Sequence, residues 1–198
     1  MKKSKVFEGT VKVAFTRRRL AKRLSQLGRA ISGDYSGRTL DLVIVLENSF
    51  LFAADLVREI SRPVVCHFVR SDARDVKLGG HDYREIFFSA PPALRGRDVL
   101  VVDAVLNTGV TQDFLIKRLE ESRPRSLRLA VLFDKPASRR VDLRAEYTGF
   151  AAASKDWVGY GLSDDRGLYR NLPYVAVKGL RSNGRRRHTD AGEKASKR

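Results

Sequence analysis

Val99-Leu-Val-Val-Asp-Ala-Val-Leu-Asn-Thr-Gly-Val-Thr111 is the stretch on which the reading of this chain turns. Val99 to Val102 is a short unbroken run of aliphatic residues, the pattern of a strand buried on both faces. Asp103 to Gly109 reads as a turn carrying an acid, an amide, a hydroxyl and a glycine. From Thr111 to Glu121 the pattern becomes that of an amphipathic helix, with Phe114, Leu115 and Leu119 on one face. A strand end, a Thr-Gly turn and a helix start bring free backbone N–H groups and the positive end of a helix dipole together, which makes a cradle for phosphate. The same three parts recur in α/β proteins at large, and a threonine near a helix start also serves simply as an N-cap.

The flanking sequence repeats the alternation of strand and helix. Lys5 to Ala14 alternates apolar and polar residues, as an edge strand does. Thr16 is placed to cap a helix whose apolar face is Leu20, Leu24, Leu27 and Ile31 and whose other face is basic. Leu40 to Leu46 is a buried strand, Glu47-Asn-Ser49 a tight polar turn, and Phe50 to Ile60 a helix apolar nearly all round and therefore expected to be well buried. Pro63 to Val69 is a further strand. Arg70 to Tyr83 is polar, contains Gly79-Gly80, and reads as a long loop or irregular hairpin, with a short strand at Glu85 to Phe88. After the central helix come a strand at Leu127 to Phe133, a polar turn at Ser138 to Asp142, short β-like segments at Tyr147 to Ala153 and Trp157 to Leu162, and a last strand at Tyr174 to Val177. Buried strands alternating with helices imply a mostly parallel sheet covered on both faces. Ligands of such sheets bind beyond the carboxyl ends of the strands, where Glu47, Asp103–Thr111 and Asp134–Lys135 all fall.

Composition sets the limits. The chain has 198 residues, 42% of them hydrophobic, which is enough for one domain with a full core. No apolar run approaches the ~20 residues of a membrane span. The first residues, Met1-Lys-Lys-Ser-Lys5, lead into no apolar segment. Cys66 is the single cysteine, which excludes an intrachain disulfide; inside the run Pro63 to Val69 it is expected to be a buried, inert thiol. These features point to a cytoplasmic protein. The formal charge of +16 favours anionic partners, either nucleic acid or phosphorylated small molecules. Residues 181–198 hold seven basic side chains against two acidic ones, a net of +5, which leaves +11 on residues 1–180. The domain is accordingly expected over residues 1–180, with 181–198 a basic disordered tail.

The letters of the central stretch carry more than its periodicity. Val99 to Thr111 resembles the 5-phosphoribosyl-1-pyrophosphate (PRPP) motif of type I phosphoribosyltransferases. Val131-Leu-Phe-Asp-Lys-Pro136, Trp157-Val-Gly-Tyr-Gly-Leu162, Asp164 and Tyr169-Arg-Asn-Leu-Pro173 are similar to segments of the hypoxanthine-guanine branch, and Leu40 to Ile60 resembles its first strand and pyrophosphate loop. The similarity runs from about residue 6 to 178. It implies the type I phosphoribosyltransferase fold, a mostly parallel central sheet flanked by helices with a small hood region. It also implies transfer of phosphoribose from PRPP to N9 of hypoxanthine or guanine. By the same resemblance the 5′-phosphate falls to Asp103, Asn107, Thr108, Gly109, Val110 and Thr111. The pyrophosphate falls to Glu47, Asn48 and Arg170, the purine to Lys135, Trp157 and Asp164, and Mg2+ to Asp103 and Asp164. A homo-oligomer, dimer or tetramer, is implied as well.

Four positions depart from that pattern. Ala104 stands where the family has a second acid for the ribose hydroxyls. Asn107 stands in place of the aspartate that acts as proton acceptor near purine N7. Glu47-Asn48 replaces Lys-Gly in the pyrophosphate loop, and Arg70-Ser-Asp72 lacks the expected Ser-Tyr. The resemblance thus leaves two readings: a purine salvage transferase of weak activity, or a degenerate member that senses purine nucleoside monophosphates or binds RNA or DNA through its basic surface and tail.

Overall fold

The computed structural model describes residues 11–78, 81–88, 92–152 and 157–178. Its centre is a six-stranded sheet with spatial order β4-β3-β2-β5-β6-β7. Five strands run parallel: β2 (Leu40–Leu46), β3 (Val64–Leu78), β5 (Asp98–Leu106), β6 (Ser126–Asp134) and β7 (Tyr147–Ala151). β4 (His81–Phe88) pairs antiparallel with the outer half of β3. A second, antiparallel sheet combines β1 (Val11–Phe15), β9 (Val175–Lys178) and β8 (Trp157–Val158) in the order β1-β9-β8. This is the hood implied by the sequence. Helices α1 (Arg17–Asp34), α2 (Phe50–Glu59) and α3 (Val110–Glu120) complete the layers.

The alternation of side chains along β5 divides the core. Leu100, Val102 and Ala104 face a cluster with Leu24, Ile31, Phe52 and Phe133, whereas Val99 and Val101 face a second cluster with Leu115 and Leu119 of α3. Thr16 caps α1 as expected, its hydroxyl accepting from the Arg19 amide at 3.3 Å. α1 and α2 approach closely at Gly28, where a Cβ would lie 2.4 Å from the Glu59 carbonyl oxygen. At the amino ends of the strands two buried carboxylates are paired. Asp41 accepts from His67 and Arg97, and Asp98 from Arg125 and Ser126. The Arg125 guanidinium holds the Asp98 carboxyl below the usual carboxylate range.

Several expectations from the sequence are corrected. β5 continues through Leu106, so Asp103 lies within a strand and not in a turn. Of the loop and the hairpin left open for residues 70–83, the hairpin is found: Ser71 to Leu78 continues β3 and pairs with β4; Gly79 and Gly80 fall outside the described residues. Cys66 is exposed. Among the described residues, Val64 to Arg70 of β3 pairs with β2 on one side only, since β4 begins its pairing at Ser71. The apolar run is therefore a sheet edge, and Val65 and Phe68 are exposed with it. In α2 only Phe52, Ala53 and Leu56 are buried, and Phe114 of α3 points outward. Among the described residues no helix is long and apolar enough to cross a membrane. The segments expected at residues 5–10, 153–156 and 181–198 lie outside the described residues.

Candidate active site

Adjacent parallel strands β2, β5 and β6 end side by side, so the segments that follow them meet at one edge. The cradle follows β5. Gly109 has a left-handed backbone (φ +83°) and serves as the N-cap of α3. The first turn of α3 presents N–H groups that lack partners within the helix, beside the half-buried Thr108 and Thr111. A side chain at Gly109 would meet Val141 Cγ2 at 2.8 Å. The loop is fastened from that side: Arg140 donates its amide to the Thr108 carbonyl (2.9 Å), and Arg139 donates through Nη1 to the Asn107 carbonyl (2.6 Å) while also pairing with Asp134. The Asn107 and Val110 side chains are exposed. The Lys135 amide donates to the Leu106 carbonyl at 2.9 Å, which seats Lys135 beside the cradle.

Asp103 and Ala104 point to opposite faces of β5. The Asp103 carboxylate faces α3, where Oδ2 accepts from Gln112 Nε2 (2.7 Å) and Oδ1 from the Ala104 amide (2.6 Å). Burial pushes its pKa up to about 6, partly offset by the Gln112 bond. Asp103, Gln112, Thr111 and Asn48 line a cleft of about 190 Å³. Ala104, only 1% exposed, packs in the main core. A larger cavity of about 460 Å³ between α1, α2 and the Tyr160–Pro173 segment is lined by none of the site residues foreseen from sequence.

The three residues expected around pyrophosphate come together. Arg170 donates through Nη1 to Asn48 Oδ1 (2.6 Å) and to the Gly161 carbonyl (2.7 Å), and its Nη2 lies 3.5 Å from Glu47. The close approach depends on Gly161, where a Cβ would fall 2.6 Å from the Asn48 carbonyl oxygen. The Leu46–Glu47 peptide is cis. Arg70 joins the group, 3.6 Å from Glu47, because the β2–β3 register sets it opposite Leu46.

Lys135, Trp157 and Asp164, the residues expected around the purine, have the following partners. The Trp157 ring packs against Phe133 (4.2 Å between centroids) and Phe15 (5.9 Å), and the Lys135 ammonium stands 5.1 Å from the indole centroid. The indole thus acts as a platform for Lys135 within the hood core. Asp164 accepts from the amides of Arg166 (3.0 Å) and Leu168 (3.1 Å), which closes its own turn. Among the described residues no group of three or more His, Cys, Asp or Glu side chains converges as a metal cage.

Two contributors escaped the sequence reading. Gln112 shares the buried stripe of Leu115 and Leu119, and a polar residue on such a stripe demands a buried partner, so a signal existed. Arg139 lies in a turn with nothing in its neighbourhood to mark it. A phosphoribosyl transferase domain model matches residues 16–165 of the chain.

The chain belongs to the phosphoribosyl transferase family.

Within that family it is 34% identical over 168 residues to the hypoxanthine phosphoribosyltransferase of Salmonella typhimurium, an alignment covering 84% of this chain and 94% of the relative. It is 32% identical over 171 residues to the bifunctional protein TilS/HprT of Listeria monocytogenes, and there the alignment covers 84% of this chain but spans only 26% of the relative. Among solved structures, a hypoxanthine-guanine phosphoribosyltransferase from Bacillus anthracis superposes with a TM-score of 0.74 at 32% identity, covering 86% of this chain and 99% of that one. The type I phosphoribosyltransferase fold implied by the sequence is thereby borne out.

Proposed function

We propose that this protein is a purine phosphoribosyltransferase of low turnover, acting in purine salvage on PRPP with hypoxanthine or guanine. The observation that carries the reading is convergence. A phosphate cradle at Asn107–Thr111, a cation at Lys135 over an indole, and the Glu47–Asn48–Arg170 group all sit at one sheet edge. In this reading the 5′-phosphate binds the Thr108–Thr111 amides and hydroxyls at the start of α3. Lys135 donates to the 6-oxo group of the purine. The bond from ribose C1′ to the pyrophosphate oxygen breaks as the bond to purine N9 forms, the arginines receive the leaving group, and the proton shed by the purine ring passes to solvent water.

Magnesium supplies charge neutralisation on the pyrophosphate. Asp103 and Asp164 are the residues that would hold it, together with the substrate's own phosphates. The carboxylates present, Asp103 and Asp164, suit an ion carried in with PRPP rather than a resident one, since both already hold hydrogen bonds from the protein. Asn107 accepts a hydrogen bond at purine N7 but does not take the proton, and a general base is worth about 10²–10⁴ in rate. Low turnover follows. The exposed Val65 and Phe68 at the edge of β3 support assembly as a homo-oligomer, dimer or tetramer. A single thiol suits a cytoplasmic setting.

The reading that makes the chain a nucleotide sensor or RNA-associated regulator rests on Ala104, Asn107 and the basic charge, and neither the fold nor the matched relatives add to it. Calorimetric titration tests the binding half of the proposal. Inosine monophosphate should bind at least ~10-fold more tightly than inosine, because the cradle recognises the phosphate. Equal affinities, or binding of neither, would remove the cradle from the account.

A further inference from the structure

The carboxylate of Glu47 sits between two arginines. Its Oε1 is 3.6 Å from Arg70 Nη2 and its Oε2 is 3.5 Å from Arg170 Nη2. Arg170 commits Nη1 to Asn48 and Gly161, so Nη2 is the nitrogen it turns toward Glu47. Two guanidiniums facing one anion form a site for phosphate, because planar N–H forks match phosphate oxygens. In this chain the protein's own side chain fills that role. Both contacts are longer than a hydrogen bond, and the Glu47 and Arg70 side chains are 55% and 62% exposed. Exposed, loosely aligned ion pairs of this kind hold weakly. A ligand with several charged oxygens displaces such a carboxylate, and the displaced charge still repels it from nearby.

We infer that Glu47 is a built-in competitor for the pyrophosphate group: it neutralises Arg70 and Arg170 in the empty protein and must swing aside when a pyrophosphate enters. This deepens the reading of the site as a PRPP site and rests on it. The consequence is selective. Ligands that carry pyrophosphate (PRPP itself, and released pyrophosphate) bind weakly, while a nucleoside monophosphate, which has no pyrophosphate, is judged by the cradle and hood alone. Weak retention of pyrophosphate also limits reversal of the reaction by its own product.

The test is calorimetry on the full chain with magnesium pyrophosphate, and separately with inosine monophosphate, for the wild type, Glu47→Gln, Glu47→Ala and Glu47→Gln/Arg170→Gln. Gln is isosteric and the side chain is half exposed, so the variants should fold; thermal unfolding verifies it. Both single variants should bind pyrophosphate at least ~10-fold more tightly, about 1.4 kcal/mol, and most of that gain should vanish in the double variant. In steady state the KM for PRPP should fall by a larger factor than kcat changes. Unchanged or weaker pyrophosphate binding in both single variants, including no binding at all, overturns the inference, as does a gain that survives loss of Arg170. Binding of inosine monophosphate in any of those cases leaves the PRPP-site reading standing; its absence as well brings that reading down separately.

Discussion

In the proposed reaction Asn107 is one functional group short of a base. Its side chain is exposed at the mouth of the cradle, and only its backbone carbonyl is tied down, by Arg139. Asn107→Asp therefore changes chemistry without disturbing packing, and kcat should rise at least ~10-fold, part of the ~10²–10⁴ that a positioned base contributes. An unchanged steady-state rate would place the defect elsewhere. Restoring the acid at position 104 is a different matter, because Ala104 is packed in the main core and a carboxylate there would be desolvated. Asp103 gives a pH signature. Its carboxyl titrates near 6 in the fold against 3.8 ordinarily, so between those values the fold holds a proton that the unfolded chain has lost. Its contribution thus declines as pH rises from about 4 to 6 and stays low above, by about 3 kcal/mol in all. Urea unfolding should show Asp103→Asn gaining on the wild type by up to that amount between pH 4 and pH 7; a difference that stays flat with pH would contradict the burial argument. At this scale the sequence was informative where a residue's own chemistry sets its local place, as with Gly109 at the left-handed start of α3. It was uninformative where the role depends on what lies across a gap, as with Arg139.

Elements were legible by periodicity and illegible at edges. The four-leucine-type stripe of α1 and the Thr16 cap appear as read, because a helix face and its cap are local properties. The run Val64 to Val69 misled because an apolar strand reads the same whether it has one neighbour or two. Only pairing distinguishes them, and that makes Cys66 and Phe68 surface residues. Likewise the polar letters of residues 70–83 left a loop and an irregular hairpin both open, because the backbone pairing of the β3–β4 hairpin does not depend on an apolar alternation. α2 connects the site to the core: it starts directly after the Glu47–Ser49 loop, and Tyr160 donates to its Asp55 at 2.6 Å from the segment that carries Gly161. The seating of α2 on α1 depends on Gly28. Although alanine is the better helix former by about 1 kcal/mol, Gly28→Ala sets a Cβ against the Glu59 backbone. Overpacking of that kind costs about 1–3 kcal/mol. Denaturant unfolding should therefore show a net loss of stability, and a neutral or stabilising result would mean that α1 and α2 slide apart freely.

At the scale of the molecule, function follows from strand order. Because β2, β5 and β6 are neighbours and parallel, three sequence-distant turns share one edge, and Arg170 closes the group from 122 residues beyond Asn48. The sheet supplies the rigid base and the hood supplies Trp157 as a platform for Lys135. The +16 charge gives the whole chain an attraction for phosphorylated ligands that falls as salt rises. The fold is the family's; on the proposed reading the phosphate cradle is kept while Ala104, Asn107 and Glu47 stand at the positions of the ribose acid, the base and the pyrophosphate loop, so slow rather than efficient transfer is expected. The most direct test is the reaction itself: PRPP, at roughly millimolar concentration, with hypoxanthine, guanine or xanthine, with and without magnesium, following both pyrophosphate and nucleoside monophosphate. The account predicts slow, magnesium-dependent, equimolar appearance of both products with hypoxanthine or guanine. No product above the enzyme-free rate with any of the three bases would contradict it.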